Sequence, residues 1–440
     1  MNADPARREA LSVLTRYRVG NMLREEPTSG LARELVYGVL RHRRTVDAVI
    51  APFIHQRLTT LQPALRVSLE LGVWQFLFDA ETPRPLVVAS TVALAGASAK
   101  RRGFLNAVLR RIGDAMTPVA ISDAVTRARD TIVTASNSGM KMAEPMLPDP
   151  NTDLPGYLAV QYSVTPWFAA HLVAARPHDV DSVLLACQRA LPLTFRPNLT
   201  KGTPESIRAA VVAAGGVMGN DLGTVFEARF DGDIAKFRPL AEGLVSIQDF
   251  VAASVAPFVG PLAGERILDL CAGVGGKTVH LAELAPTAKV FAGDVSEVRL
   301  AKLRSNAKRL GLANVTTVSL GAAGKRLPEG PFDRVLVDAP CSNSGVLMKR
   351  IEARDRLTEE TVDEVMTVQE EILRRGASLV KPHGTLVYST CSILTEENRG
   401  IVDAFLLANE NAWKLDEERM VWPHESGRDG GYMARLVRQA

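Results

Sequence analysis

The hydrophobic pattern of the chain changes period along its length. Over residues 1–115 apolar positions recur at helical spacing: Leu31, Leu35, Val36, Val39 and Leu40 form one stripe, and Leu105, Val108, Leu109 and Ile112 another. Short breaks carrying Pro27, Pro63, Pro83 and Pro85 separate the helices, so an all-α domain is predicted over 1–115. Residues 116–155 lose the period and mix Ser, Thr, Asn and Pro; they are expected to be a linker with one short helix. Over 156–245 helical stretches at 167–175 and 204–214 mingle with strand-like runs at 193–196 and 225–230, predicting a small α+β subdomain.

From Leu262 the alternation becomes regular. Strands are predicted at 266–270, 289–293, 315–320 and 430–437, with helices at 279–284, 297–310 and 396–407. Two further runs, Val335-Leu-Val-Asp-Ala339 and Leu386-Val-Tyr-Ser-Thr390, are short and apolar, as strands buried on both faces are, and each leads directly into a cysteine motif. Between them Val362, Val365, Met366, Ile372 and Leu373 keep helical spacing, giving a strand–helix–strand unit. Both strands of such a unit run the same way. Cys341 and Cys391 therefore emerge at carboxyl ends, where open α/β sheets build their sites, and two thiols distant in sequence can share one cleft. Residues 246–440 are thus predicted to be a doubly wound, Rossmann-like α/β domain within a multidomain chain.

Composition narrows the class. A 440-residue chain exceeds one ordinary core, and its apolar fraction of 46% is that of a folded globular protein. No apolar run reaches about 18 residues, and the N-terminus lacks a secretory layout, so no membrane association is expected. Four cysteines without a Cys-x-x-Cys pair and seven scattered histidines give no zinc pattern; no metal is expected, and a reducing cytoplasm is the sensible compartment. Residues 1–115 hold sixteen Arg and one Lys against ten acids, whereas the whole chain carries only +3, so the remainder is net negative. The basic groups Arg41-His-Arg-Arg44, Lys100-Arg-Arg102 and Arg110-Arg111 suit a nucleic-acid grip, although they equally suit a solvated helical surface.

Two motifs carry chemistry. The turn Cys271-Ala272-Gly273-Val274-Gly275-Gly276-Lys277 follows a strand and opens a helix, leaving backbone N–H groups free for a ligand. Asp294, at the end of the next strand, is spaced to bind ribose hydroxyls. A phosphate-cradling GxxxxGK[ST] loop would need Gly at Cys271, and a dinucleotide fingerprint would need Gly at Thr278, so both readings fail by one residue. What survives is a nucleoside-bearing ligand with a charged amino-acid-like group, a description S-adenosylmethionine fits. The two cysteines suit activation of cytosine: a thiolate added to carbon 6 pushes electron density onto carbon 5, and a base must later remove the carbon-5 proton. Such a site needs a reactive Cys, a group near the ring nitrogen N3, for which Asp338 is well placed, and a second group assisting release. A single Cys at a strand end is more often a small buried side chain; two in these contexts reverse that balance.

Asp269-Leu-Cys-Ala-Gly-Val-Gly-Gly-Lys-Thr278, Val337-Asp-Ala-Pro-Cys-Ser342 and Val387-Tyr-Ser-Thr-Cys-Ser392 with Glu397-Asn398 closely resemble the Nop/Sun family of RNA cytosine-5 methyltransferases. Leu35-Val-Tyr-Gly-Val-Leu-Arg41 and Leu105-Asn-Ala-Val-Leu-Arg-Arg111 resemble the NusB-like RNA-binding domain of the family's bacterial RsmB-like branch, which Tyr162-Ser163, Pro166-Trp167 and Gln248-Asp249 also fit. The resemblance implies S-adenosylmethionine as donor and small-subunit (16S) ribosomal RNA, or an assembling subunit, as substrate, in a cytoplasmic enzyme expected to be a monomer. It makes Cys391 the nucleophile and Cys341 the residue aiding product release, with donor contacts on the 271–277 turn, Asp294 and Asp338. In DNA cytosine methyltransferases the Pro-Cys residue attacks instead, so the Thr-Cys motif argues for RNA. The chain departs from the family pattern at Gly273-Val274, at Gly321-Ala322-Ala323, where a carboxylate is usual, and at Arg350-Ile351-Glu352. A catalytically degenerate RNA-binding assembly factor is the alternative that Val274 and Ala322 favour and the intact cysteine motifs, Asp338 and Lys277 oppose.

Overall fold

A computed structural model describes residues 4–23, 25–121, 127–230, 232–321 and 326–440. The chain forms two units: residues 1–189 with Leu347–Glu359, and Ala190–Val346 with Glu360–Ala440. No helix among the described residues is long and apolar enough to cross a membrane.

Among the described residues the first unit opens with six α-helices: α1 (Pro5–Arg16), α2 (Gly30–Arg41), α3 (Arg43–Ile50), α4 (Pro63–Phe78), α5 (Arg84–Ala93) and α6 (Ala99–Asp114). Asp4, Ser29 and Ser98 cap α1, α2 and α6, their side chains accepting from N–H groups of the first turn. The expected stripes are the buried faces: Leu35, Val36, Val39 and Leu40 of α2 and Leu105, Val108, Leu109 and Ile112 of α6 are covered, while Leu31 at the start of α2 is 39% exposed. Helix α4 is buried all round from Val67 to Leu77 and forms the centre of this bundle. Helix α2 approaches it at Gly38, where an added Cβ would stand 2.3 Å from the Trp74 ring.

The expected linker is corrected by the structure. Residues 116–142 contain a three-stranded antiparallel sheet, ordered β1 (Met116–Ala120), β3 (Ser138–Met142), β2 (Thr131–Ala135). The β-branched run Thr131-Ile-Val-Thr134 favours a strand, and the polar Ser136-Asn137 pair that reads as linker is the turn between β2 and β3. Among the described residues no helix follows before α7 (Leu154–Gln161), which α8 (Pro166–Ala175) and α9 (Val180–Ala186) succeed.

These three helices also correct the expected subdomain at 156–245, because they belong to the first unit. Thr45 of α3 donates its hydroxyl to Val160 O at 2.7 Å, and the Arg44 N–H donates to Ser163 Oγ at 3.0 Å. The segment Leu347–Glu359 packs with them. The fully buried Arg354 donates to the carbonyls of Tyr162 and Cys187, while Arg41 donates to Met348 O and Arg44 pairs with Asp355.

The second unit begins with a four-stranded antiparallel sheet, order β5-β6-β4-β7. Its elements are β4 (Thr194–Pro197), α10 (Pro204–Ala213), β5 (Val217–Asp221), β6 (Phe226–Arg229), α11 (Arg238–Ala241) and β7 (Val245–Ile247). Phe195, Ile207, Val211, Phe226 and Phe237 form its core. After α12 (Phe250–Val259) come β8 (Arg266–Asp269), α13 (Gly276–Leu284), β9 (Lys289–Asp294), α14 (Glu297–Leu310), β10 (Val315–Ser319), β11 (Phe332–Asp338), α15 (Glu359–Ser378) and β12 (Val380–Thr390). The chain ends with α16 (Ile401–Ala408), β13 (Trp413–Val421), α17 (Pro423–Ser426) and β14 (Gly431–Arg438).

The large sheet has seven strands ordered β10-β9-β8-β11-β12-β14-β13, parallel from β10 to β12 and antiparallel thereafter. Successive residues of β11 and β12 face opposite sides and fill separate cores: Val335, Val337, Leu386 and Tyr388 pack with Leu373 and Ile401, whereas Leu336 and Val387 pack with Val255, Val259 and Leu281. Both strands are therefore covered on both faces. The chain runs outward from β8 through β9 to β10, then returns to place β11 on the other side of β8. That reversal leaves a crevice beyond the carboxyl ends of β8 and β11.

Candidate active site

Four carboxyl ends meet at this crevice. Strand register sets Leu336 opposite Asp269 and Asp338 opposite Ser389, so the residues leaving β8, β11 and β12 arrive at nearly the same level. The turn after β8 carries Gly273 at φ 54° and Gly275 at φ 93°, both left-handed. An added Cβ on Gly275 would sit 2.5 Å from Leu303 of α14, so close packing as well as backbone conformation demands glycine there. Gly275 also stands at the N-cap of α13 without a side chain to cap it, leaving first-turn N–H groups for another acceptor.

Asp294 closes the turn from the next strand. Its Oδ2 accepts the Gly273 N–H at 2.9 Å and its Oδ1 accepts the Ser296 N–H at 2.7 Å. Asp269 is buried beneath the turn and accepts the Thr278 hydroxyl at 2.7 Å; burial pushes its carboxyl up to about 7, opposed by that hydrogen bond. Its Oδ1 is buried without a partner. Lys277, from the first turn of α13, donates to Asp338 Oδ2 at 2.7 Å, while Ser389 donates to Oδ1 at 2.8 Å. Burial works to lower the Lys277 ammonium, but the charge and hydrogen bond of Asp338, with Cys391 and Asp269, outweigh it and leave it above the ordinary lysine value. Cys271 has its thiol raised by burial first and by three surrounding carboxylates, so it stays neutral. Ala272 is nearly covered, whereas Val274 is half exposed at the turn's outer edge. Ala322 and Ala323, where the family pattern has a carboxylate, lie outside the described residues.

The two thiols meet. Cys341 Sγ and Cys391 Sγ are 3.0 Å apart, and Cys391 Sγ also donates to Asn343 Oδ1 at 3.2 Å. The thiol of Cys341 lies well above its ordinary value, through its hydrogen bond with Cys391 first and burial second, so it holds its proton at neutral pH. A bracket of buried groups binds the two cysteine loops. Glu397 Oε2 accepts the Ser342 N–H at 2.8 Å and Gln369 Nε2 at 3.0 Å, and its Oε1 accepts the Ser392 hydroxyl at 2.7 Å. Gln369, on α15, also donates to Pro340 O at 2.9 Å. Thr390 donates to Asn398 Oδ1 at 2.5 Å, and Asn398 donates onward to Ser392 O at 2.9 Å. Glu397 and Asn398 sit on a single π-helical turn, Glu396–Gly400, a local widening that recurs at functional sites.

Every site residue expected from sequence thus lies at this end of the sheet, in two adjoining groups: the glycine turn with Asp294, and the thiol pair, joined through Lys277 and Asp338. Asn343, Gln369, Ser389 and Asp269 were not anticipated. Asp269 and Ser389 stand inside the quoted motifs but carry no role of their own there, Asn343 left a signal as an asparagine in a glycine- and serine-rich turn directly after a cysteine motif, and Gln369 left none.

The chain resembles known proteins over most of its length. Residues 257–437 match the family described as 16S rRNA methyltransferase RsmB/F, and residues 5–114 match the NusB family. Ribosomal RNA small subunit methyltransferase B of Escherichia coli O6:K15:H31 is 30% identical over 427 residues, covering 93% of this chain and 90% of that protein. Its counterpart in Salmonella typhi is 31% identical with the same coverage. Among solved structures, that of PH0851 matches with a TM-score of 0.75 at 22% identity, over 99% of both chains.

Proposed function

The chain belongs to the 16S rRNA methyltransferase RsmB/F family, and we propose that it transfers a methyl group from S-adenosylmethionine to carbon 5 of a cytosine in small-subunit ribosomal RNA. The observation that carries this reading is the meeting of two thiols 3.0 Å apart at the ends of adjacent parallel strands, next to a lysine–aspartate pair.

The residues at the crevice fit the donor. The uncapped start of α13 suits a carboxylate. Asp294, already oriented by two backbone N–H groups, keeps lone pairs for ribose hydroxyls, and a Cβ on Gly273 would meet nothing within 4 Å, so the turn is open there. When bound, S-adenosylmethionine supplies an electrophilic methyl group. Cys391 forms the bond to carbon 6 of cytosine, and Asp338, held by Lys277 and Ser389, faces the N3 side of the ring. Cys341 then serves release. Its proton is held chiefly by the hydrogen bond with Cys391 and by burial; once Cys391 is bonded to carbon, that hydrogen bond is gone and its charge with it. Cys341 can then lose its own proton to water and, as thiolate, take the carbon-5 proton; the carbon–sulfur bond breaks as the ring double bond re-forms, and Cys391 leaves as thiolate. The α-helical module with its exposed Arg101, Arg102, Arg110 and Arg111 supplies phosphate contacts. The protein acts in the cytoplasm, as a monomer, on the ribosomal RNA or the assembling subunit.

The test is methyl transfer from labelled S-adenosylmethionine to small-subunit ribosomal RNA and to immature subunits. Wild type should be active, Cys391→Ala inactive, and Cys341→Ala should accumulate a covalent protein–RNA adduct. Silence of wild type on both substrates, with no donor binding, would sink the reading.

A further inference from the structure

Beside the small sheet of the second unit lies a cavity that the proposed reaction does not use. It holds about 360 Å³, and its walls come from the edge strand β7, α11, α13 and α14. Pockets for small ligands begin at about 300 Å³. Strand register explains what faces it. Ser246 stands opposite Arg196, so both side chains leave the sheet on one face, the face from which Arg196 reaches Glu283 of α13. Ser246 is 7% exposed and lines the cavity, yet its hydroxyl has no partner among the described residues. A buried hydroxyl left unpaired destabilises a fold unless a ligand offsets it. Two further donors line the same space. Arg309 reaches the edge of β7, its Nη1 donating to Val245 O at 3.1 Å, while Nε and Nη2 donate to Asn306 Oδ1 at 3.1 and 2.7 Å. With its oxygen taken twice, the Asn306 amide turns Nδ2 the other way; Nδ2 and one N–H of Arg309 Nη2 keep no protein partner among the described residues. The remaining walls include Leu240, Ile247 and Val279, and no carboxylate among the described residues.

Apolar walls with donors and without acids fit a flat ring that carries acceptors. A keto base, uracil or guanine, offers carbonyl oxygens to those donors, and its phosphate suits the charge of Arg309. Cytosine and adenine instead bring an exocyclic amine to a space already supplied with N–H groups. We propose that this cavity receives an unpaired uridine or guanosine of the RNA substrate, a second nucleotide read apart from the cytosine that is methylated. This rests on RNA being the substrate of the proposed reaction. Gly276, the first residue of α13, also borders the cavity, so the second base seats beside the helix whose start serves the donor and sets the register of the strand relative to that site.

The experiment uses the full chain without donor. Small-subunit ribosomal RNA is transcribed with 4-thiouridine in one preparation and 6-thioguanosine in another, irradiated in complex, and the crosslinked peptides are mapped by mass spectrometry. At least one RNA should crosslink within 234–248 or 306–309, and excess UMP and GMP should not displace it. Ser246→Ala removes only an unpaired hydroxyl, so the variant should be at least as stable as wild type in urea. It should nevertheless lower that crosslink by about threefold to tenfold relative to crosslinks elsewhere in the chain. Ala235→Leu, at an exposed lining position, should lower it at least as far by filling the space. Absence of the crosslink from both RNAs overturns the proposal, as does an unchanged yield in either variant. Displacement by the free nucleotides overturns it too, because the cavity would then be a mononucleotide site. No methyl transfer is measured: a chain that crosslinks here but is inactive defeats the proposed reaction and leaves this site standing, whereas an active chain without the crosslink defeats this site alone.

Discussion

Glu397 offers the sharpest quantitative test of how the site is held. Its side chain is fully buried and takes three hydrogen bonds: from the Ser342 N–H, from Gln369 Nε2 and from the Ser392 hydroxyl. Two of those donors directly follow Cys341 and Cys391, so one carboxylate fixes both thiols. Replacement by alanine takes an acceptor from three donors, of which Gln369 Nε2 keeps Pro340 O. At about 1–3 kcal/mol for each orphaned group the nominal cost is several kcal/mol, and relaxation of the Ser392 hydroxyl, which has Ser344 Oγ 2.8 Å away, brings it to about 3–5 kcal/mol. Glu397→Gln keeps the shape and one acceptor oxygen and exchanges charged hydrogen bonds for neutral ones, for about 1–2 kcal/mol. Hydrogen exchange read on peptides spanning 338–346 and 388–398 isolates the effect from the rest of a two-unit chain. Protection of these loops should fall roughly tenfold in Glu397→Gln and a hundredfold or more in Glu397→Ala, since about 1.4 kcal/mol is tenfold. In the same variants Cys341 loses its place relative to Cys391, so a covalent RNA adduct should persist. Protection within threefold of wild type in Glu397→Ala would refute the bracket.

Other consequences are equally direct. Arg196 and Glu283 form an ion pair buried in the second unit, with Gln248 Oε1 also accepting from Arg196 Nε at 2.6 Å; Glu283→Ala strands the guanidinium and should cost about 3–5 kcal/mol in urea unfolding, whereas removing both charges together should cost less. An equal or larger loss in the double variant would contradict this. Asp269 gives a pH effect whose sign is fixed: its carboxyl is raised by burial to about 7, against about 4 in the unfolded chain. A raised carboxyl contributes stability fully below the unfolded value and loses it as pH climbs through the folded one. Stability should therefore fall between about pH 4 and 7, and Asp269→Asn should flatten that slope; an unchanged slope in the variant would assign it to other groups.

Much of the chain could be read from its pattern. The parallel strands were legible because burial on both faces forces runs such as Val335-Leu-Val337, and α14 was legible because a capping Ser296 and a left-handed Gly311 mark its ends. The placing of both cysteines at strand ends followed from the same periodicity. By contrast β13, Trp413-Lys-Leu-Asp-Glu-Glu-Arg-Met-Val421, escaped notice since an edge strand keeps one side wet and carries charge. The sheet at 116–142 escaped because its strands are five residues each and separated by turn chemistry.

What residue types and spacing determine by themselves is thus local: period, caps, turns, and the kind of side chain each strand delivers to its end. Tertiary structure alone decided which ends meet. The pairing of β11 with β12 turns a fifty-residue separation into a 3.0 Å thiol contact, and Glu397, Gln369 and Asn343 become site residues only because three separate segments converge there. It likewise decided that α7 to α9 and the segment 347–359 belong with the helical unit, through a buried Arg354 whose partners are backbone carbonyls. Backbone carbonyls are the same in every residue, so such a choice of partners leaves no mark in the order of amino acids.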